Sequence, residues 1–335
     1  MKKNLRPITS LLVAALVCAS LPAWAKNKKD DVYDIGHRKV SGWSLVSVQK
    51  EMAIGKQLSE QIDHSAKLIK DPVVTEYVNR MAQNLARNSD AKMPISVRII
   101  DDPTINAETL PGGFIYVDSG TILAADNEAE LAGVLAHEIG HVAERSWASN
   151  MTKQTLLQFA TLPLMFTPMS LGTYYGLGAA MNGIPIAFLK FDRNQESGAD
   201  FLGLQYMWKA GYDPNQFLAM FGKVLNEERQ DPGSVAAIFE NHPPTPDRII
   251  KAEEEIKTIL PKRREYLVNT SQFVSMKRRL ETELTVHRKN LKNNTGPTLE
   301  RRRTPETTGA PQPPPQGGQS GGNTGDQPPI LKRTN

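Results

Sequence analysis

The residues best suited to chemistry lie at positions 137–141, where the chain reads His-Glu-Ile-Gly-His inside an apolar helical run. Two histidines four positions apart project from one face of a helix, so their imidazoles can bind a single metal ion. Glu138 lies about 100° around that helix from His137, where it can take a proton from a metal-activated water without being a ligand. This pattern is typical of zinc peptidases. The alternative is an amphipathic helix that carries two incidental histidines.

A zinc peptidase needs a third protein ligand, and its fourth position is left to water. Glu196 is the best candidate, within Glu-Ser-Gly-Ala-Asp at 196–200, on a helix predicted over 192–209. The small residues of this stretch would let the helix approach the motif helix closely. Asp200, one turn after Glu196, can accept the free ring N–H of a zinc-bound histidine and so fix its tautomer. Without the upstream motif, the two acids would indicate only a solvated helix face.

Peptide hydrolysis also needs a hydrogen-bond donor for the developing oxyanion. His242 and Arg248 are the candidates, because the proline-rich turn at 243–246 would fix their backbone. Taken singly, both residues would more often be structural. In the mechanism that the motif predicts, Glu138 takes a proton from the water and passes it to the leaving amine.

Helices dominate the elements that must position these residues. Apolar residues at helical spacing predict helices over 47–70 and 71–85, and a capping box at 127–130 opens the motif helix. An alternating, β-branched stretch predicts a strand over 94–100, and a Pro-Gly-Gly turn precedes a second strand over 114–117. The predicted fold class is therefore α+β, mostly helical, with a small sheet beside the motif helix.

The first 25 residues are typical of a secretory signal peptide, with a basic start, an apolar run over 8–21 and Ala-Trp-Ala at 23–25. The apolar run is shorter than the ~20 residues that a membrane span needs. Cys18, the single cysteine, could serve lipoprotein attachment, although Val17 precedes it where a small residue is usual. Cleavage after Ala25 would leave a mature chain that cannot form disulfides. We therefore expect an exported, soluble protein, with the periplasm as its compartment.

Four further segments follow from composition. Residues 26–46 are polar and irregular, and residues 47–290 hold the predicted peptidase domain. The uncharged stretch 154–189 is broken by prolines and glycines, which favours an apolar lid or an interfacial segment that contacts a membrane or partner; a membrane span is the alternative. Residues 291–335 are rich in Pro, Gly and Gln, which predicts a disordered tail. The net charge of +4 does not indicate a nucleic-acid binder.

Taken in order, these motifs resemble metallopeptidase family forty-eight, the group of HtpX-like and CAAX-type membrane proteases. The resemblance runs from about residue 50 to 285 and rests on H-E-I-G-H, E-S-G-A-D, N-A-x-x-L-P-G-G-F-I-Y-V at 106–117 and H-P-P-T-P-D-R-I at 242–249. The signal peptide and the lack of four clear spans are similar to the exported, periplasmic BepA-like branch. The C-terminal tail stands where those proteins have tetratricopeptide repeats, so their partner binding is not carried over.

The resemblance implies a zincin-type domain that binds one Zn²⁺ through His137, His141 and Glu196. It implies that Glu138 is the general base and that Asp200 supports the first histidine. It also implies a substrate-binding edge strand that pairs with an extended peptide. The residues of that strand are Gly113, Phe114, Ile115, Tyr116 and Val117.

One further residue matches the family, and two depart from it. His242 resembles a histidine that can approach the zinc and hold such enzymes latent, whereas Glu108 and Thr109 stand where the family has apolar and small residues. The expected function is a zinc endopeptidase that degrades misfolded or unassembled envelope proteins. The rival class is a latent, zinc-stabilised chaperone or assembly factor, in which His242 is a fourth protein ligand and the site is structural.

Overall fold

The structure is a computed structural model that describes residues 28–161, 191–230, 242 and 245–294. Within these residues helices predominate around a three-stranded sheet, as the sequence predicts. The described residues up to Asn290 belong to one compact unit. The α-helices are α1 (Val48–Ser65), α2 (Pro72–Arg87), α3 (Ser119–Ala124), α4 (Glu128–Glu144), α5 (Ser146–Thr161), α6 (Arg193–Ala210), α7 (Asn215–Gln230), α8 (Pro246–Thr258) and α9 (Ser271–Asn294).

The sheet has the order β1-β3-β2 and corrects one prediction. Strand β3 (Phe114–Asp118) lies in the centre, parallel to β1 (Ser96–Ile100) on one side and antiparallel to β2 (Ala107–Leu110) on the other. The stretch predicted as a substrate-binding edge strand is therefore paired on both sides and has no free edge for a peptide. Within the described residues, β2 pairs only with β3, so β2 is an edge strand.

The Pro-Gly-Gly turn closes the β2–β3 hairpin. Gly112 and Gly113 have positive φ angles of 82° and 89°, a backbone conformation that residues other than glycine rarely adopt. A Cβ atom on Gly113 would also lie 2.1 Å from the carbonyl oxygen of Pro94. Both glycines are therefore required by the turn that places β2 beside the motif helix.

Side-chain caps fix where three helices begin. Asp71 caps α2, Asn127 caps α4 and Asp192 caps α6, each by accepting hydrogen bonds from amides of the first turn. The helix starts predicted from 71, 127 and 192 are thus confirmed. Because such caps satisfy backbone donors that the helix cannot, they fix the register of the residues that follow.

Two helix ends differ from the prediction. The helix predicted over 47–70 ends at Ser65, because Leu68 pairs with Ile100 in a β-bridge. The last helix, α9, continues through Asn294 and so enters the predicted tail by four residues. Its last residues, Leu-Lys-Asn-Asn at 291–294, include no helix breaker, so composition alone placed the boundary too early.

The predicted irregular segment 26–46 has no long helix but packs tightly where it is described. Val32 and Ile35 are buried in the main core. Arg38 is also buried and donates from Nε and Nη2 to Asp90 Oδ2 at 3.1 and 2.6 Å. Its Nη1 donates to Gln205 Oε1 at 2.6 Å. This segment is therefore anchored to α6 rather than loosely attached.

The motif helix α4 lies at the centre of the domain. From Glu128 to Ala143 every residue except Val134 is buried, and α4 packs against α2, α6, α7 and β2. Each fully buried leucine of α4 contributes about 1.5–3 kcal/mol of transfer free energy. Contacts on several sides therefore hold this helix in place. The chemistry-bearing face is thus fixed inside a close-packed core.

Several predicted segments lie outside the described residues. These are the signal peptide at 1–25, residues 162–189 of the apolar segment, and residues 295–335 of the tail. Across the described part of the chain, no helix combines the length and the apolarity needed to cross a bilayer.

Candidate metal centre

Close packing of α4 against α6 brings the predicted ligands together. A Cβ atom on Gly140 would lie 2.7 Å from the carbonyl oxygen of Ala199 and 2.9 Å from its Cα. Only a glycine at position 140 therefore allows this approach without a backbone shift. The expected close approach at the small residues after Glu196 is confirmed, and Glu196 in the first turn of α6 faces His137 and His141.

The donor atoms of these three side chains converge. His137 Nε2 lies 3.1 Å from His141 Nε2 and 3.5 Å from Glu196 Oε2, and His141 Nε2 lies 3.4 Å from Glu196 Oε1. A tetrahedral zinc ion, with ligands at about 2.0–2.1 Å, sets neighbouring ligand atoms about 3.3 Å apart. The spacing of the donors thus fits a tetrahedral metal ion.

His242 completes the donor set. Its Nδ1 lies 2.9 Å from Glu196 Oε1 and 3.3 Å from His137 Nε2, and one donor atom from each of the four residues lies within 4.8 Å of the others. His242 Nε2 is buried without a hydrogen-bond partner and lies 3.9 Å from Glu138 Oε1. His242 thus adds a fourth protein donor atom beside those of His137, His141 and Glu196.

Further side chains orient the two motif histidines from behind. His137 Nδ1 lies 2.9 Å from Asp200 Oδ1. His141 Nδ1 lies 3.2 Å from Ser146 Oγ, and the ring of Phe191 stacks on the His141 ring at 4.0 Å. Sequence analysis missed Ser146 and Phe191, because only the turn after α4 and the chain before α6 bring them back to the motif.

Arg248, the second predicted oxyanion donor, is buried beside the donor set. It donates from Nε and Nη2 to the two carboxylate oxygens of Asp200 at 2.6 and 2.7 Å. Its Nη1 donates to the carbonyl oxygen of His242 at 3.0 Å and lies 2.9 Å from Glu196 Oε2. These contacts lie behind the donor set and fit the positioning of ligands better than contact with an oxyanion.

Glu138 is buried beside the donor set and contacts β2. Thr109 Oγ1 donates to Glu138 Oε2 at 2.6 Å, which fixes the rotamer of the predicted base. Burial, and then the nearby charge of Glu138, raise the pKa of Glu108 to about 7. The one signal for Thr109 in the sequence was its place in a stretch that departs from the family pattern.

Electrostatics favour a cation at this centre. Burial opposes ionisation of Glu196, but the charge of His242 and hydrogen bonds from His137 and His141 hold its pKa well below its usual range. Burial lowers the pKa of His141 to about 4. Burial also opposes a charged His137, but Asp200 and Glu196 raise its pKa to about 10. Without a metal, the ionised Glu196 therefore faces a protonated His137 and a neutral His141, and metal binding requires His137 to release its proton.

A helix-borne His-x-x-x-His pair, completed by a glutamate from a second helix and flanked by a glutamate base, defines a metallopeptidase. The model of peptidase family M48 matches residues 72–256, which is more than half of the chain and includes every residue of the donor set. The chain belongs to peptidase family M48. The mostly helical fold with its small sheet agrees with this assignment.

Curated relatives support the family assignment. The chain is 30% identical to the putative beta-barrel assembly-enhancing protease of Vibrio cholerae over 262 residues, covering 76% of this chain and 53% of that protein. It is 29% identical to the beta-barrel assembly-enhancing protease of Escherichia coli K12 over 269 residues (78% and 54%). It is 31% identical to the mitochondrial metalloendopeptidase OMA1 of Schizosaccharomyces pombe over 181 residues (54% and 52%). The chain spans about half the length of these relatives.

Proposed function

We propose that this chain is a zinc-dependent endopeptidase that hydrolyses peptide bonds in unfolded or unassembled proteins. The observation that carries the proposal is the convergence of His137, His141 and Glu196 beside Glu138. Two imidazoles and one carboxylate form a ligand set found at catalytic zinc sites. One Zn²⁺ per chain follows from the single donor cluster among the described residues.

The side chains divide the chemical work. When bound, zinc supplies a Lewis acid that polarises the scissile carbonyl and acidifies a water. Glu138, held by Thr109, takes a proton from that water and gives it to the leaving amine. Asp200 fixes the tautomer of His137 through its contact with Nδ1. Arg248 positions Asp200 through paired hydrogen bonds and forms an ion pair with Glu196.

An extended peptide would reach this centre along β2. Among the described residues no strand pairs with the second edge of β2, which could offer backbone donors and acceptors to a peptide strand, the mode called β-augmentation. Ala107 and Thr109 of β2 both approach the motif helix, since Ala107 borders the cavity beside His137 and Thr109 contacts Glu138. We therefore assign the substrate-binding edge to β2, in place of β3 to which the sequence assigned it.

His242 favours a latent form of the same enzyme. With Nδ1 2.9 Å from Glu196 Oε1, it closes the site with a fourth protein donor, and access for water and substrate requires its departure. A closed site of four protein ligands is also what a zinc-stabilised chaperone or assembly factor would have. The two candidates differ in whether His242 leaves.

The cellular setting is likewise a proposal. The names of the relatives, which include beta-barrel assembly-enhancing proteases, support misassembled envelope proteins as substrates. The signal-peptide pattern at 1–25 supports export to the periplasm. The apolar stretch 154–189 would add a peripheral contact with a membrane or an envelope complex.

Replacement of the base tests the proposal. We expect Glu138→Gln to keep one zinc per chain and to lose cleavage of an unfolded protein by about 10²-fold or more, because it removes the proton acceptor. Zinc is measured by elemental analysis and cleavage by release of peptides from casein. Glu60→Gln, in an exposed ion pair of α1, is the matched control and should match the parent. Retained cleavage by Glu138→Gln would disprove the assignment of the base.

Replacement of His242 distinguishes the two candidates. If His242 blocks an enzyme, His242→Ala should raise the cleavage rate, because a water molecule can then take the fourth position. The double variant His242→Ala/Glu138→Gln should remain inactive. A His242→Ala chain that keeps its zinc yet cuts nothing would favour the chaperone or assembly factor.

A further inference from the structure

A groove of about 330 Å³ lies at the C-terminal end of the motif helix α4. One wall is formed by residues 37–41, which lead into α1, and another by Asp90 and Lys92 from the loop after α2. The end of α4 contributes Val142, Ala143 and Arg145. None of the four residues of the metal-donor set lines this groove, so it is a separate feature of the molecule.

The floor of the groove is apolar and fixed. Four of its lining residues are apolar and at most 6% exposed: Val40, Met93, Val142 and Ala143. Beneath the wall, the buried Arg38 forms an ion pair with Asp90 at 2.6 Å, and the amide of Gly36 donates to Asp90 Oδ1 at 2.7 Å. The groove is therefore already formed in the folded chain, as is usual for a binding site.

The rim of the groove carries positive charge without matching acids. Lys39 and Lys92 are exposed, and among the described residues neither forms an ion pair with an acid; Lys92 Nζ donates to the carbonyl oxygen of Gly36 at 2.7 Å. The acid in the described lining, Asp90, is neutralised by Arg38. The two lysines therefore leave a positive potential at the rim, which favours an anion.

Exposed apolar side chains adjoin this rim. Trp43 follows two residues after Ser41 of the groove wall and is 68% exposed, and Leu45 is 54% exposed. Their backbone is nevertheless held, since the amide of Leu45 donates to Thr152 Oγ1 of α5 at 3.0 Å. Leu156, one turn after Thr152 on the same face of α5, is 48% exposed. A fixed backbone thus presents these apolar side chains to the surroundings beside a cationic rim.

The two features together select one kind of ligand. A soluble anion would use the lysines but leave Trp43 and Leu45 in water, and a purely apolar partner would leave the lysines without counter-charges. The surface of an anionic bilayer satisfies both, because its phosphates attract Lys and Arg and its headgroup region accepts tryptophan and aliphatic side chains.

We infer that the groove binds the phosphate of an anionic phospholipid and that Trp43, Leu45 and Leu156 enter the headgroup region beside it. This surface shares only Leu156 with the apolar stretch 154–189. It holds the chain at a bilayer surface through contacts that do not involve the metal centre, so the inference does not depend on the proposed peptidase activity.

The test is flotation of the full chain with vesicles of phosphatidylcholine, alone or mixed equally with phosphatidylglycerol. Each Lys or Arg near an anionic surface contributes roughly fivefold in affinity, so the mixed vesicles should bind the chain at least about 10-fold more tightly. By the same arithmetic Lys39→Gln/Lys92→Gln should weaken that binding by about 10–30-fold. Trp43→Ala should weaken it by about 5-fold or more, because apolar surface stays in water. All three residues are exposed, so the variants should fold like the parent.

The matched control is Lys262→Gln/Arg264→Gln, which removes the same charge from exposed positions between α8 and α9 and should bind like the parent. Quenching of tryptophan fluorescence by brominated phosphatidylglycerol reports insertion. The quenching should be lost in Trp43→Phe, since Trp147 and Trp208 are buried.

Equal binding to both kinds of vesicle, or equal losses in the two charge variants, overturns the inference. Fluorescence that brominated lipid leaves unquenched does so as well. Binding of inorganic phosphate by a chain that does not float with the mixed vesicles would show a site for a soluble anion, and it would also overturn the inference.

Discussion

Replacing Asp200 by Asn should weaken zinc binding while the hydrophobic core stays folded. Asp200 is 4% exposed and contacts His137 Nδ1 at 2.9 Å while it accepts two hydrogen bonds from Arg248. The amide keeps one oxygen acceptor but removes the negative charge that favours donation from the histidine. It also removes the charge of one carboxylate that faces the buried Arg248 guanidinium, which still lies 2.9 Å from Glu196 Oε2.

The magnitude has two parts. Loss of a partner behind a metal-bound histidine typically lowers metal affinity 10–100-fold, which is about 1.4–2.7 kcal/mol. Removing one partner of a buried ion pair costs about 3–5 kcal/mol of stability, and the remaining hydrogen bonds and the contact with Glu196 should reduce this to about 2–3 kcal/mol. The variant should therefore bind zinc more weakly in its folded state and melt at a lower temperature.

Competition with a zinc chelator measures the affinity, and thermal unfolding of the metal-free chain measures the stability. Glu60→Gln is again the control, because its ion pair with Lys56 is exposed and such pairs contribute about 0–1 kcal/mol. An Asp200→Asn chain with parental zinc affinity would refute the role of Asp200 behind His137. Lower stability with unchanged affinity would reduce that role to packing.

Two further predictions concern packing and pH. Gly140→Ala should destabilise the chain by about 1–3 kcal/mol, because the new Cβ meets the Ala199 backbone at 2.7 Å. The control is Gly222→Ala, which has nothing within 4 Å of the new Cβ and should be neutral or stabilising. Equal melting temperatures of the two variants would contradict the tight contact at Gly140. Burial, and then Asp102, raise the pKa of Asp118 to about 7, so the folded state binds its proton more tightly than the unfolded state. This stabilisation is complete below about pH 4 and is lost as the pH rises to about 7, by at most about 4 kcal/mol. Asp118→Asn should therefore gain stability over the parent across that range in urea titrations, and a pH-independent difference would contradict the shift.

Local signals were sufficient for the helices and for the donor set. A capping residue and a helical period are written in neighbouring positions, so the starts at Asp71 and Asn127 could be predicted. The His-x-x-x-His spacing is equally local. Glu196 needed only one further assumption, that small residues mark a close helix contact, and the packing of Ala199 against Gly140 confirms it.

Strand order could not be predicted in the same way. The residue pattern at 114–117 indicates a strand. It does not show which strands lie beside it, because that depends on pairing with residues distant in the sequence. The partner strand Ala-Glu-Thr-Leu at 107–110 is four residues long and carries a charge, so it gave no strand signal. Its pairing with β3 made the predicted edge strand a central one.

Contacts between residues far apart in the sequence could not be predicted from it either. Arg38 is held by Asp90 and Gln205, so a polar segment judged irregular is fixed by a buried ion pair. Thr109 reaches Glu138 only because the hairpin places β2 beside α4. Both cases need the tertiary fold, since the residue types alone are ordinary for a surface.

The central claim is that His137, His141 and Glu196 bind one zinc ion and that His242 is its fourth protein ligand. X-ray absorption spectroscopy at the zinc edge, on the parent and on His242→Ala, tests this most directly. We predict four nitrogen or oxygen ligands at about 2.0–2.1 Å, with three imidazoles in the parent and two in His242→Ala. Absence of stoichiometric zinc, or the same imidazole count in both chains, would contradict the account.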